Sequence, residues 1–246
     1  GLIFDNSNDN LQIANASLAG FPAGNASRTA FFVGKLNTVN TGQDFAFGYG
    51  SGAANQSFEM GNNAGRAWYE NWGGSFFGNV GAFYAARPII NSWNHDNAVA
   101  PNSKGYINGG SDWSPASTTL NTVIGSNPFY IGRHNDNGSP RPWDGRIGEV
   151  ILYDRTLTAV EMQRVHSYLA IKYGVTLAQD YLSGGGATIW DLGATGGYDN
   201  DIAGIGRDDC QALSQKQSKS VNTDALVTIG NGNLIVGDNS LNSSVF

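Results

Sequence analysis

The chain of 246 residues carries a single cysteine, Cys210, so it forms no intrachain disulfide and holds no cysteine-based zinc set. Burial or half-burial is the expectation for that lone thiol. Charge is sparse: 14% of residues are Asp, Glu, Lys or Arg, and the 14 basic side chains are outnumbered by 20 acidic ones, giving a net charge of −6 and a pI near 4.9. Nucleic-acid binding relies on Lys and Arg neutralising phosphates, so this balance argues against it. No apolar run reaches the roughly 18 residues of a membrane-spanning helix. No basic-then-apolar leader opens the chain, which makes Gly1 either a mature terminus or an edge within a longer protein. The three histidines, His95, His134 and His166, are far apart and no G-x-S-x-G accompanies them. The segment GIGRDD (204–209) lacks the full phosphate-cradling glycine pattern and reads as a strand kink.

Glycine is abundant, with 34 residues, and asparagine nearly so. Such a composition suits many tight turns between short strands. The length accommodates one large β domain and a small second unit. The most informative stretch runs from Trp143 to Gly174. Ile147, Val150, Ile151, Leu152 and Tyr153 form a β-branched and aromatic run that reads as a core strand. Thr158 and Glu161 then form the T-x-x-E capping box, with Leu157 placed as a hydrophobic staple. Met162, Val165, Leu169 and Tyr173 recur on one helical face, and Gly174 supplies the left-handed stop. The pattern predicts a helix over 158–174 packed on a sheet, with His166 on its surface.

Along the rest of the chain, two apolar runs flank DNSNDN (5–10) and predict two strands with a turn. TAFFVGKL (29–36), residues 45–49 and Phe58 with Met60 continue the sheets, and TTLNTVI (118–124) reads as a half-polar strand. Between Arg66 and Trp113 lie Trp68, Tyr69, Trp72, Phe76, Phe77, Phe83, Tyr84, Trp93, Tyr106 and Trp113. Trp72 precedes Gly73-Gly74, Trp93 stands in NSWNHDN and Trp113 in SDWSP, all turn-rich segments. Exposed rings beside Asn, Asp and His are what a sugar or peptide site uses, because the ring stacks while polar groups fix orientation. Trp72, Trp93, His95, Asp96 and Trp113 are therefore the candidate ligand-binding residues. After the helix, residues 181–186 read as a glycine linker. Four short strands follow in ATIWDLG, DIAGIGRD, ALVTIG and NLIVGDN.

The G-R-I-x-E-V-x-x-Y pattern at 145–153, followed by L-T-x-x-E, resembles the last strand and exit of laminin-G-like, concanavalin A-type jelly rolls of bacterial surface proteins. LIFDNSNDNLQI (2–13) is similar to that family's first strand, FYIGRH (129–134) to its penultimate one, and YINGG (106–110) to its strand with an Asn-Gly turn. The tail resembles the extension that follows this jelly roll in large exported adhesion and gliding-type proteins of Bacteroidetes-like bacteria. The resemblance implies one structural calcium held by oxygen ligands. Asp5, Asp9, Asp144 and Glu149 are its candidate ligands, although Gly148 stands where the family usually has an Asp. HNDNG (134–138) and YDNDI (198–202) are alternative cation segments, neither completing an EF-hand loop. Laminarinase-type relatives carry E-x-D-x-x-E on one strand, where the period of two aligns the acids. This chain has no such run, and Glu59, Glu70, Glu149, Asp191 and Asp201 form no alternating pair.

The expectation is an all-β concanavalin A-like jelly-roll sandwich over 1–157, one packed α-helix over 158–174 and a small β extension over 175–246. Functionally it implies an extracellular, cell-surface, non-catalytic module for adhesion or binding, whose partner is a glycan or peptide held by rim loops. The alternatives are a structural subunit whose loops contact neighbouring subunits and, third, a glycoside hydrolase.

Overall fold

The computed structural model describes residues 1–38, 42–80, 87–114, 118–125, 127–133, 140–232 and 234–246, with backbone alone at 75–77, 79 and 80. Phe83, Tyr84, His134 and the HNDNG segment lie outside the described residues, as do the side chains of Phe76 and Phe77. The described residues form two compact units, one of Gly1–Ile107 with Ser111–Leu157, the other of Asn108–Gly110 with Thr158–Phe246.

In the first unit the strands are β1 (Leu2–Asp5), β2 (Leu11–Ile13), β3 (Arg28–Leu36), β4 (Gln43–Gly50), β5 (Ser57–Asn63), β6 (Arg66–Glu70), β7 (Ser75–Val80), β8 (Ile89–His95), β9 (Ser103–Ile107), β10 (Gly110–Trp113), β11 (Phe129–Ile131) and β12 (Asp144–Tyr153). They make two six-stranded sheets, ordered β1-β12-β3-β8-β9-β10 and β2-β11-β4-β5-β6-β7. The ladders β1–β12, β12–β3, β3–β8, β8–β9, β2–β11, β11–β4, β4–β5, β5–β6 and β6–β7 are all antiparallel, as a jelly-roll sandwich requires. Alternation assigns the faces. Phe4, Phe32, Leu36, Phe47, Tyr49, Phe58, Met60, Tyr69, Ile89, Trp93, Trp143 and Ile147 fill the core between the sheets. The ladder between β12 and β3 shifts register between Ile147 and Glu149, so the bulge falls at Gly148, the position where the sequence departs from the related pattern. TTLNTVI forms no strand. Its backbone is taken up piecemeal: Thr122 bridges Gly24, Asn102 Nδ2 donates to Thr118 O, and the Asn121 and Val123 amides donate to Asn55 O and Gln56 O. Those partners leave too few free groups for a ladder.

The second unit contains the helix α1 (Ala159–Tyr173) and three two-stranded ribbons, β13 (Tyr181–Leu182) with β14 (Thr188–Trp190), β15 (Gly206–Asp208) with β16 (Leu213–Gln215), and β17 (Gln217–Lys219) with β18 (Thr228–Gly230). The capping box at Thr158 and Glu161 is formed, and Gly174 ends the helix at φ 68°. The buried face is Met162, His166, Ser167, Leu169 and Ala170. His166 is therefore a core residue of this unit and not a surface one, since it continues the i, i+4, i+7 stripe from Met162 to Leu169. Tyr181–Leu182 is a strand where a linker was expected, because Ser167 Oγ accepts from the Leu182 amide at 2.8 Å and Gln163 Nε2 donates to Asp180 O at 3.0 Å. NLIVGDN has no strand among its described residues, whereas QSK at 217–219 does. Cys210 is exposed, not buried: it lies in a short 3-10 turn, where its amide donates to Asp208 Oδ1 at 3.1 Å.

Candidate functional site

Two of the candidate ligand-binding residues belong to the sandwich core. Trp93 sits within β8 and is fully buried, its ring stacked on Phe58 at 4.3 Å and its indole donating to Ser103 Oγ at 3.1 Å. His95 ends the same strand, also fully buried, with Nδ1 2.9 Å from Ser103 Oγ and Nε2 3.0 Å from Asn25 Oδ1. Burial, helped by the nearby Arg28 charge, lowers its pKa from 6.5 to about 4. Both placements correct the loop reading: strand β8 runs on through NSWNH, and its alternation sends Trp93 inward. Trp113 ends β10 half-buried, stacked on Tyr69 at 5.1 Å. Asp96 caps its own turn by accepting from the Ala98 amide at 2.9 Å.

Arg28, unremarked in the sequence, is wholly buried beside these residues. Its guanidinium donates to Tyr49 Oη, Thr122 Oγ1, Ala26 O and Gly24 O at 2.8–3.0 Å. Burial lowers its pKa, yet every one of those contacts is an oxygen that accepts, which is how a buried cation is tolerated.

The carboxylates expected to hold calcium do not gather into one set. Asp5 and Asp144 are register partners across β1 and β12. Their oxygens are engaged within the chain: Asp5 Oδ1 accepts from the Ser7 amide, and Asp144 accepts from Asn37 Nδ2 and Thr38 Oγ1. Glu149 lies further along β12 opposite Val33, and Asp9 is exposed on the turn. Among the described residues no three His, Cys, Asp or Glu side chains come together as a metal set. A calcium ion takes about six or more oxygens, so these four side chains do not fit as its joint ligands.

Among the described residues, the candidate Trp72 lines an open groove. The groove, about 320 Å3, is walled by Gln43, Trp68, Glu70, Trp72, Gly73 and Arg141. It lies on the outer face of the second sheet, because Ala67 and Tyr69 point into the core and the period of two turns Trp68 and Glu70 away from it. Trp68 packs on Phe45 at 4.3 Å and the Arg141 guanidinium lies 5.5 Å above its ring. Arg141 is brought there by its carbonyl, which accepts from the Phe45 amide at 3.1 Å. A ring, a cation, a carboxylate and an amide thus converge on one hollow. In the second unit a hollow of about 310 Å3 is walled mainly by apolar side chains, among them Ile171, Tyr181, Ile189, Trp190 and Ile205, and none of the sequence-derived candidates lines it.

The outer face holds one more feature the sequence reading missed. Glu59 and Glu70 are direct cross-strand partners on β5 and β6, 1% and 4% exposed. The signal was present in NNAGR: a two-residue turn at Ala64-Gly65, both at positive φ, fixes the hairpin register and so sets Glu59 opposite Glu70.

A family model described as Concanavalin A-like lectin/glucanases superfamily matches residues 5–163, and one described as Domain of unknown function (DUF8202) matches residues 161–246. No curated protein matches the chain. Among solved structures, the CBM40 of Ruminococcus gnavus IT-sialidase bound to alpha2,3 sialyllactose is 15% identical, with TM-score 0.52 over 65% of this chain and 95% of that one. The same CBM40 bound to alpha2,6 sialyllactose gives 14% identity and TM-score 0.51 over 64% and 93%. Domain 4 of an extracellular GH43 arabinanase from Geobacillus stearothermophilus, in complex with arabinotriose, is 17% identical with TM-score 0.45 over 66% and 80%.

Proposed function

The chain belongs to the concanavalin A-like lectin/glucanases superfamily through residues 5–163, and from that membership we propose that it is a non-catalytic carbohydrate-binding module whose ligand lies in the Trp72 groove. The observation that carries this reading is the convergence of Trp72 with Gln43, Glu70 and Arg141 on one open hollow. An indole stacks on the apolar face of a sugar ring, while the half-buried Gln43 amide and Arg141 guanidinium hydrogen-bond its hydroxyls. One cation beside one anion suits a polyhydroxyl ligand better than a strongly charged one. The sialyllactose-bound fold neighbours support a sugar as the ligand class. The tail's resemblance to exported adhesion proteins accords with a place on a bacterial surface.

Glycan-array screening followed by calorimetric titration tests this. Trp72→Ala is expected to weaken retention of the best-bound glycan at least about tenfold, equivalent to about 1.4 kcal/mol. Unchanged affinity would sink the groove as the binding site.

One observation favours a second reading. Glu59 and Glu70 are cross-strand neighbours on one sheet face, and a pair of neighbouring carboxyl groups is what glycosidases use. Against it, both are almost wholly buried, and Glu70 Oε1 is engaged by the Gly73 amide at 3.2 Å. Hydrolysis of a bound glycan, abolished by Glu59→Gln, would replace the binding reading with this one.

A further inference from the structure

We propose that Asn71 is the positioning residue of the groove: its buried side-chain amide fixes the turn that presents Trp72, so ligand affinity depends on a group that does not itself line the hollow. The proposal rests on the groove being the glycan site. Asn71 follows directly on β6 and is 1% exposed. Its Nδ2 donates to Asn55 Oδ1 at 3.1 Å and to Thr119 O at 2.5 Å, and its Oδ1 accepts from the Gly74 amide at 2.8 Å. One side chain therefore ties together three segments: the β4–β5 connection, the turn after β6 and the stretch around Thr119.

Those bonds serve the turn rather than a ladder. Trp72 sits at φ 59°, a left-handed conformation that a bulky side chain adopts only when its surroundings impose it. The backbone is held there from both sides. Asn55 N donates to Trp72 O at 3.2 Å, and the Gly73 amide is taken by Glu70 Oε1. Gly73 itself is at φ 148°, with Ala54 3.1 Å from where a Cβ would stand. Only a primary amide supplies two donors and an acceptor in the space Asn71 fills: aspartate loses both donors, and leucine loses every bond.

The test uses the full chain labelled with 15N, following the Trp72 indole N–H, assigned by its loss in Trp72→Phe. Its {1H}-15N NOE is expected to fall in Asn71→Ala and in Asn71→Asp, which keeps an acceptor but loses both donors, while the indole shifts of the buried Trp68, Trp93 and Trp143 stay in place. Binding is read in parallel against alpha2,3-sialyllactose, arabinotriose and a β-glucan oligosaccharide. Asn71→Ala should weaken whichever is bound about as much as Trp72→Ala does, and the double variant should be no weaker than Trp72→Ala alone. An unchanged Trp72 NOE overturns the proposal, as does a loss of binding in Trp72→Ala that Asn71→Ala does not share. If Trp72→Ala binds normally, the groove reading fails by itself, and the NOE still decides what Asn71 does.

Discussion

Trp72 and Trp93 are the same side chain in opposite settings, and a strand boundary separates their fates. Trp93 lies on a strand face that points between the sheets and contributes area to the core, with Phe58 stacked on it and Tyr69 edge-on at 5.8 Å. Truncating a buried tryptophan removes that area and leaves a cavity, so Trp93→Ala is expected to cost about 3–5 kcal/mol. The urea midpoint measures it. Trp72→Ala removes a half-buried ring from a turn and should leave that midpoint nearly unmoved while affinity falls. A Trp93→Ala protein as stable as the parent would show that the ring is not the packing element its burial indicates. Residue type alone could not tell these indoles apart, because both sequences, ENWGG and NSWNH, are rich in turn-formers.

Among the elements, α1 is the best determined by local chemistry. The Thr158 hydroxyl accepts from the Glu161 amide at 3.3 Å, and Glu161 Oε2 accepts from the Thr158 amide at 2.9 Å. Both bonds are local, which is why the start of the helix was legible. Thr158→Ala should therefore destabilise the second unit by about 1 kcal/mol, read as a lower denaturation midpoint in helical circular dichroism. An unshifted midpoint would mean the cap adds nothing beyond the packing of Met162, His166 and Leu169. The ribbons of the same unit were poorly legible for the converse reason. Two-stranded ribbons are marginal by themselves, and here side chains such as Gln163, Ser167 and Gln211 hold strand and turn backbone to the helix. Propensity favoured Leu234–Val236, yet β17 formed from QSK, whose Gln217 side chain bonds both backbone groups of Val236.

At the scale of the whole molecule, each unit encloses a histidine held neutral. Burial lowers His95 to about 4 and His166 to about 3 from an ordinary 6.5. In the unfolded chain both titrate near that ordinary value, so between pH 6.5 and 4 the unfolded state binds more protons. Stability is then complete above pH 6.5 and falls as the solution is acidified, by about 1.4 kcal/mol per pH unit for each histidine. Urea midpoints at pH 7.5 and pH 5 check this. A flat profile, or one that His95→Asn does not flatten for the sandwich, contradicts it.

The sequence by itself determined many of the sandwich strands, the helix and its caps and the Asn108-Gly109 turn, because periodicity, capping and turn chemistry act over a few neighbouring residues. It also determined the net charge of −6. Only the tertiary structure decided which aromatics face the core, where Arg28 finds its oxygens, that Glu59 meets Glu70, and that Gln43, Trp72 and Arg141 share a hollow. Those outcomes depend on register and on contacts between segments up to about a hundred residues apart, and no local propensity encodes which distant strand a residue will meet.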